Sequence, residues 1–459
     1  MRVREFLRKG MGRLASRRLT GLALCLAFVW GLCPVAPVTP AEADGMVREV
    51  VVKRKDGSSV RRARLPRRRA AGKTAAAKGT PRVFAGGQGT AKSPWTIRTA
   101  AQLQAFSNSV NSGQNYAGRY IRLDSDVNLW NTSWAPIGMS RDGKTLAFSG
   151  TFNGNGRTVR GLTVDRPGGL PVGLFGVLSG ATILNLNVED ANVKGSAGVG
   201  ALAGSAVKTT FRGCSASGSV SGERDVGGLV GSAVECRLDR AGFQGNVAGF
   251  GVSTGGAVGG AFGSTLQNIS VQGNVAGQEN VGGLAGTFQA GLLQNGSVNA
   301  TVVNGDRNVG GVAGATAGPV TLSHVAFDGN IEGEDNVGGI LGTQEQGAVR
   351  DASVKGYVMG MNQVGGAAGQ WLGGTALRCV SAANVNGRLN VGGVVGRLAG
   401  GTLERCASDG EVQGGDAVGG LVGRQEGGSF QNCQPSGMVR GALNQGREVG
   451  ATGARAINL

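Results

Sequence analysis

Apolar positions along this chain come in short bursts separated by glycine, and the bursts recur. VGGLAG (281–286), VGGVAG (309–314), VGGILG (337–342), VGGAAG (364–369), VGGVVG (391–396) and VGGLVG (418–423) are near-copies at steps of 27 or 28 residues. Aligned on the Val-Gly pair, the series reads 172, 199, 226, 258, 281, 309, 337, 364, 391, 418 and 449. A second apolar column, Val193, Val220, Val247, Val275, Val303, Ile331, Val358, Val385, Val412 and Val439, keeps steps of 27 or 28 throughout. The irregular steps around Val258 therefore read as an insertion at 248–257, a loop on an otherwise regular lattice. Each unit holds three short extended pieces divided by Gly-rich bends, too short for helices and rich in β-branched residues. A single unit cannot bury its own apolar side, whereas stacked units cover one another. The pattern predicts an all-β, right-handed parallel β-helix with coils of about 27 residues, the hand following the preference of parallel crossovers. Some eleven coils at about 4.8 Å each would make a stack of roughly 50 Å.

Two further columns refine that expectation. The residue before the motif valine is Asp225, Asn280, Asn308, Asn336, Gln363 or Asn390 in most coils, which predicts a polar ladder at a left-handed corner. A third column runs Cys214, Ala241, Ile269, Gly296, Val325, Ala352, Cys379, Cys406 and Cys433. Cysteine alternates there with small apolar residues, so the column should face inward with the thiols as core filler. Stacked neighbours come within reach of a disulfide, but the five cysteines after residue 43 cannot all pair. Ahead of the repeats, TAAQLQAFSNSVNSG (99–113) has helical periodicity through Ala100, Leu103, Phe106 and Val110, with Thr99 as N-cap. It is well placed to cover the open end of the stack. RYIRLDSDVNL (119–129) should begin the first coil. Its Asp124, Asp126 and Asn128 have the spacing of a calcium loop's start but lack the Gly and distal Glu, and are read as structural.

Composition and charge narrow the picture. Glycine supplies 87 of 459 residues with only 11 prolines, which excludes collagen and fits tight bends in β structure. Residues 1–43 read as a signal peptide: a basic start, the apolar run LTGLALCLAFVWGLC (19–33), and the small-residue site Ala41-Glu42-Ala43. An uncleaved anchor is the alternative. Leu24 and Leu32 precede Cys25 and Cys33, which disfavours a lipoprotein anchor. Of the net charge of +17, residues 44–82 alone carry +10. The body from 83 onward is close to neutral. The segments are thus 1–43 signal peptide, 44–83 basic low-complexity linker, 84–171 cap and first coils, and 172–459 repeats. The block at 51–79 serves as a tether or as a contact to anionic polymer. Nothing in it suggests sequence-specific nucleic-acid binding.

The order of SPWTIRTAAQLQAFS (93–107), YIRLDSDVNL (120–129), WAPIG (134–138), FSGTFNGNGRTVRGLTV (148–164) and GLFG (173–176), followed by the VGGLVG copies, resembles GLUG-motif repeat proteins. That resemblance implies bacterial secreted or surface proteins with β-helical, adhesin-like stalks. GLUG repeats also accompany zinc peptidases that cleave immunoglobulin A, but H-E-x-x-H is absent and His324 is the only histidine. The resemblance carries no catalytic residue over. A C-terminal barrel, a sorting signal and a second span are not visible either. Acidic residues such as Glu332, Glu334 and Asp335 fall at bends, with no coil marked as an acid–base pair. His324 should point outward if Val325 points in.

The expectation is a non-catalytic, exported adhesin-like solenoid without cofactor, metal or catalytic residues, binding a surface glycan or a host or bacterial surface protein. A structural envelope component held by its basic segment is the alternative, and a polysaccharide lyase or hydrolase a more distant one. The apparent insertion at 248–257, Gly-rich with Phe250 as its one aromatic, is the favoured contact site.

Overall fold

The computed structural model describes residues 83–141 and 143–453. The signal-peptide and basic-linker assignments, including the block at 51–79, lie outside the described residues. Within them the regular structure is almost entirely strand, with the single helix Ala100–Val110 near its start. The strands form two parallel sheets, one of 32 and one of 11, the smaller joined from Phe175–Ser179 onward, and an antiparallel pair, Met139–Arg141 with Lys144–Leu146. The all-β solenoid read from the repeat is thus the fold.

The inter-coil register follows the sequence columns closely. Val193 pairs with Val220, Val220 with Val247, Val247 with Val275, Val275 with Val303 and Val303 with Ile331. The same file continues through Val358, Val385 and Val412 to Val439. A second interior file stacks Phe211, Leu238, Leu266, Leu293, Leu322, Val349, Ala376, Leu403 and Phe430. These side chains are buried save Phe430, so each coil shields the apolar interior of its neighbours. Because both partners sit at equivalent heights, every strand face alternates inward and outward in phase with the coil below.

The paired glycines of the motif have a steric cause. A side chain at Gly310 would place its Cβ 2.0 Å from the Ala313 carbonyl oxygen, and one at Gly311 would place it 2.2 Å from that of Gly339. The chain turns there from one sheet into the other with backbone against backbone, and only glycine leaves room.

Two files of left-handed residues make the other corners. Asp225, Ser253, Asn280, Asn308, Asn336, Gln363, Asn390, Ala417 and Asn444 all have φ between +47° and +66°. The polar ladder expected before the motif valine is therefore present. Asn308 donates to the Asn280 Oδ1 at 2.8 Å and Asn336 to the Asn308 Oδ1 at 2.9 Å, while the Thr343 hydroxyl donates to that same oxygen at 2.8 Å. A second file, Asn268, Asn295, His324, Asp351, Arg378, Arg405 and Asn432, has φ between +52° and +55°. It immediately precedes the cysteine-bearing column.

The first of these files corrects the sequence register. The residue stacked on Val226 is Thr254, which in turn stacks under Val281. Val258 instead joins the other sheet, between Val230 and Ala285. Residues 248–257 are hence no insertion: Thr254-Gly255-Gly256-Ala257-Val258-Gly259 is an ordinary copy with threonine in the first position. The last copy has the same form. Gln445 pairs with Val418, and Val449 pairs with Val422.

At the N-terminal end the helix has the predicted cap, the Thr99 side chain accepting from the Gln102 amide. Leu103, Phe106 and Val110 are buried, and Phe106 packs against Phe148 and Phe152 with ring centroids 5.5 and 6.0 Å apart. The Ser107 hydroxyl donates to the Ala135 carbonyl at 2.6 Å, fixing the helix to the chain that follows. Strand Tyr120–Leu123 lies between Trp95–Ile97 and Thr151–Asn153, so the stack starts one rung earlier than the expected beginning at 119–129. The helix thus seats its apolar face where the stack begins.

The corner account gives a direct test. Replacing Asn308 by valine forces a β-branched residue into a left-handed conformation and removes three hydrogen bonds, which should cost about 2–4 kcal/mol. Glycine at the same position loses the bonds but not the conformation, and should cost roughly half as much. Urea unfolding of the two variants measures the order, and equal losses would contradict it.

Candidate binding face

With the register fixed, outward positions of the long strands form continuous files across one face. Residues Ser219, Asn246 and Asn274 occupy one such file, which resumes past a register shift as Val302, Asn330, Tyr357 and Asn384. Beside it, one inward residue further along, run Ala248, Ala276, Asn304, Glu332, Met359 and Asn386. Small or amide side chains fill the early coils of both files. Amides bridge between coils, as where Asn274 donates to the Asn246 Oδ1 at 3.2 Å.

The face changes character at one coil. Tyr357 is 53% exposed, Met359 40% and Met361 46%, three large side chains outward on one stretch. Tyr357 stands between Asn330 and Asn384, and Met359 between Glu332 and Asn386. An aromatic ring flanked by amides and a carboxylate on a flat, rigid strand face offers both an apolar platform and directional hydrogen bonds. Sequence reasoning missed it, because nothing in YVMGM marks its outward side until neighbouring coils fix the register.

The residues singled out from sequence fall as follows. Phe250 is 64% exposed, but it sits at an ordinary corner where its amide donates to the Gly222 carbonyl at 2.8 Å. It does not crown an inserted loop. Glu332, Glu334 and Asp335 lie at the bend leading into the next motif: Asn304 donates to Glu332 at 3.5 Å and Asn362 to Asp335 at 2.8 Å. Asp124 is clamped by Arg122 at 2.8 Å and Arg98 at 3.2 Å. Burial works against its charge, yet these two hydrogen-bonding guanidiniums hold the carboxyl below the usual range. Asp126 accepts from the Thr158 amide and Asn128 from the Trp130 amide. All three calcium-like side chains are thus engaged in structural bonds.

His324 points outward beside Asp351 at 3.8 Å while Val325 is buried, as its place in the column required. Arg378 grips the same Asp351 at 2.6 Å and depresses its pKa by that hydrogen bond. Among the described residues, no group of three or more His, Cys, Asp or Glu is placed to hold a metal ion. The column cysteines are all free thiols; Cys214, Cys379 and Cys406 are buried and Cys433 is half-buried. A concavity of about 1130 Å³ is lined by Cys433, Pro435, Arg447 and their neighbours. It is the outer side of the last described coil rather than a cleft between elements.

One corner carries an electrostatic flaw. In two other coils the left-handed residue meets a hydroxyl from the adjoining sheet, Ser253 with Thr287 at 2.6 Å and Asn308 with Thr343. At Asp225 that place is taken by Gly260, whose hypothetical Cβ would lie 3.0 Å from the Asp225 Oδ1. Burial raises the Asp225 carboxyl to about 6, against the opposing pull of Arg224.

Comparisons with known proteins give partial matches. No protein-family model matches the chain. Halomucin from Haloquadratum walsbyi is 37% identical over 140 residues, which is 29% of this chain and 2% of halomucin. A protein from Evansella cellulosilytica, provisionally named a Gly-rich membrane protein, is 35% identical over 127 residues, 27% of this chain and 14% of that one. The chain therefore spans a small part of the curated relatives it matches. A Bacteroides ovatus crystal structure, provisionally described as an immunoglobulin A1 protease, aligns over 77% of this chain and 87% of its own. Its TM-score of 0.31 and 17% identity carry no functional argument.

The Asp225 corner yields a pH-dependent expectation. A carboxyl whose folded pKa exceeds its unfolded value contributes fully below about pH 4, and that contribution is lost as pH rises through about 6. Asp225→Asn, the residue other coils use, should therefore be neutral at pH 3.5 and stabilising by about 1–2 kcal/mol at pH 7.5, discounted for residual solvent contact. Thermal unfolding at both pH values checks it; an equal shift at both would contradict the assignment.

Proposed function

We propose that the chain is a cell-surface or extracellular β-solenoid that binds glycan through its outward strand face, without catalysis. The observation that carries this reading is the Tyr357 coil, where an exposed ring and two methionines interrupt files of amides and hydroxyls. Sugar rings stack their C–H faces on aromatic side chains, while their hydroxyls match amide donors and acceptors. Similarity to segments of halomucin and of a Gly-rich membrane protein supports a surface location. The ordered motifs that resemble GLUG-repeat proteins, and the signal-peptide pattern at 1–43, point the same way. The acidic corner residues serve hydrogen bonds between coils, which supports a binding role over hydrolysis.

A second reading has its own support. The charge of +10 in residues 44–82 suits electrostatic attachment to anionic polymer, which would make the solenoid a structural envelope component. The two readings separate by salt and by site.

Retention of the purified chain on a panel of bacterial and host glycans, followed by mass spectrometry of the glycans, tests the proposal. We expect retention with intact glycans, persisting at high salt, and a drop of about tenfold for Tyr357→Ala, equivalent to about 1.4 kcal/mol. Shortened or unsaturated products would overturn the non-catalytic reading. Retention lost with salt and indifferent to Tyr357 would favour attachment through the basic segment.

A further inference from the structure

The interior of the stack thins toward its C-terminal end. The file that carries Phe243, Val271, Val298, Phe327 and Val354 continues as Ser381, Ser408 and Pro435. Ser381 Oγ and Ser408 Oγ are buried and make no hydrogen bond to the protein. Over these same coils the adjoining inward column becomes Cys379, Cys406 and Cys433, each two residues before its counterpart. Large apolar side chains thus give way to hydroxyls in one file, beside a column in which thiols take the place of small apolar residues. Less apolar burial holds these coils than holds those before them.

The Cys433 thiol reaches back to the preceding coil. The Cys406 amide donates to the Cys433 Sγ at 3.4 Å. Rung spacing of about 4.8 Å places successive α-carbons within the range that a disulfide accepts. The β-carbons of in-register parallel neighbours are as far apart as the α-carbons, wider than the roughly 3.8 Å a disulfide prefers. Bond formation must therefore draw two rungs together. The strands that flank Cys379 and Cys406 are held by coils on both sides. Those at Ser429–Gln431 and Gln434–Pro435, which flank Cys433, pair with one coil only among the described residues. Cys433 is the half-buried member of the column and lines the concavity on that side, where an oxidant can enter.

We propose that Cys406 and Cys433 form a disulfide that staples the last described coil to the one before it. The step is thiol–disulfide exchange with a small-molecule disulfide. The Cys433 thiolate attacks one sulfur of the oxidant and releases the first thiol. The Cys406 thiolate then attacks the Cys433 sulfur of the mixed disulfide and releases the second. Two protein thiols are oxidised to one disulfide while one oxidant disulfide is reduced to two thiols. The hydrogen bond with Cys379, together with burial, raises the Cys406 thiol to about 12, and the hydrogen bond with Cys406 raises Cys433 as well. Exchange is accordingly slow at neutral pH and quickens in base, where the thiolate fraction grows.

The test incubates the purified full chain with oxidised glutathione at pH 8.5, unfolds it in guanidinium chloride with N-ethylmaleimide present to block residual thiols, and maps peptides without reduction. We expect a linked peptide joining Cys406 to Cys433, with Cys214, Cys236 and Cys379 blocked as free thiols. Cys379→Ser should leave the link intact and Cys433→Ser should abolish it. Quantitative blocking of both Cys406 and Cys433 in the wild-type chain would overturn the proposal. So would a dominant Cys379–Cys406 link, or glutathione retained on Cys433 without transfer to Cys406.

Discussion

Everything in this structure depends on one constraint: each coil must lie in register on the coil beneath it. In the two large sheets backbone hydrogen bonds run between coils, so a strand's partner is 27 or so residues away, whereas Met139–Arg141 and Lys144–Leu146 pair as a hairpin. That single relation fixes which side chains are buried, because an outward residue stacks on an outward residue for the whole length of the sheet. It also explains the composition. Where the chain passes from one sheet into the other, backbone meets backbone at about 2 Å from any imagined Cβ, and glycine is the residue that fits.

The corners enforce the register. A left-handed residue recurs at the same two places in coil after coil, whatever its identity: asparagine, histidine, aspartate and arginine all adopt it in one file. Such a conformation is costly for most residues and is kept because the stack over-determines it. Asparagine lowers that cost by tolerating the conformation and by bonding to the equivalent asparagine one coil away. Asp225 shows what happens when the file supplies a charge and the facing sheet supplies a glycine.

Much of this was legible in the sequence, and the places where it was not are physically instructive. The Val193–Val439 file and the cysteine column could be aligned by eye, because core positions tolerate few residue types. The false insertion at 248–257 arose because each copy contains two Val-Gly-like pairs four residues apart. Threonine at 254 and glutamine at 445 hid the first pair, so the alignment slid onto the second. The corner file through His324, Asp351 and Arg378 had no residue signature, since there the stack imposes the conformation. The Tyr357 face was hidden for the opposite reason: outward residues are free to vary, and only the register assembles them into a surface. Function is thus written on the least constrained positions of a highly constrained scaffold.

Hydrogen exchange followed by mass spectrometry, comparing amides of residues 248–262 with those of 275–289, tests the stacked register most directly. The account predicts closely similar protection, because Val252–Gly255 and Val258–Phe262 are strands held between coils just as Glu279–Gly282 and Ala285–Gln289 are. Exchange of 248–257 within seconds, beside a protected 275–289, would show a loop where this structure has a rung and would contradict the unbroken stack.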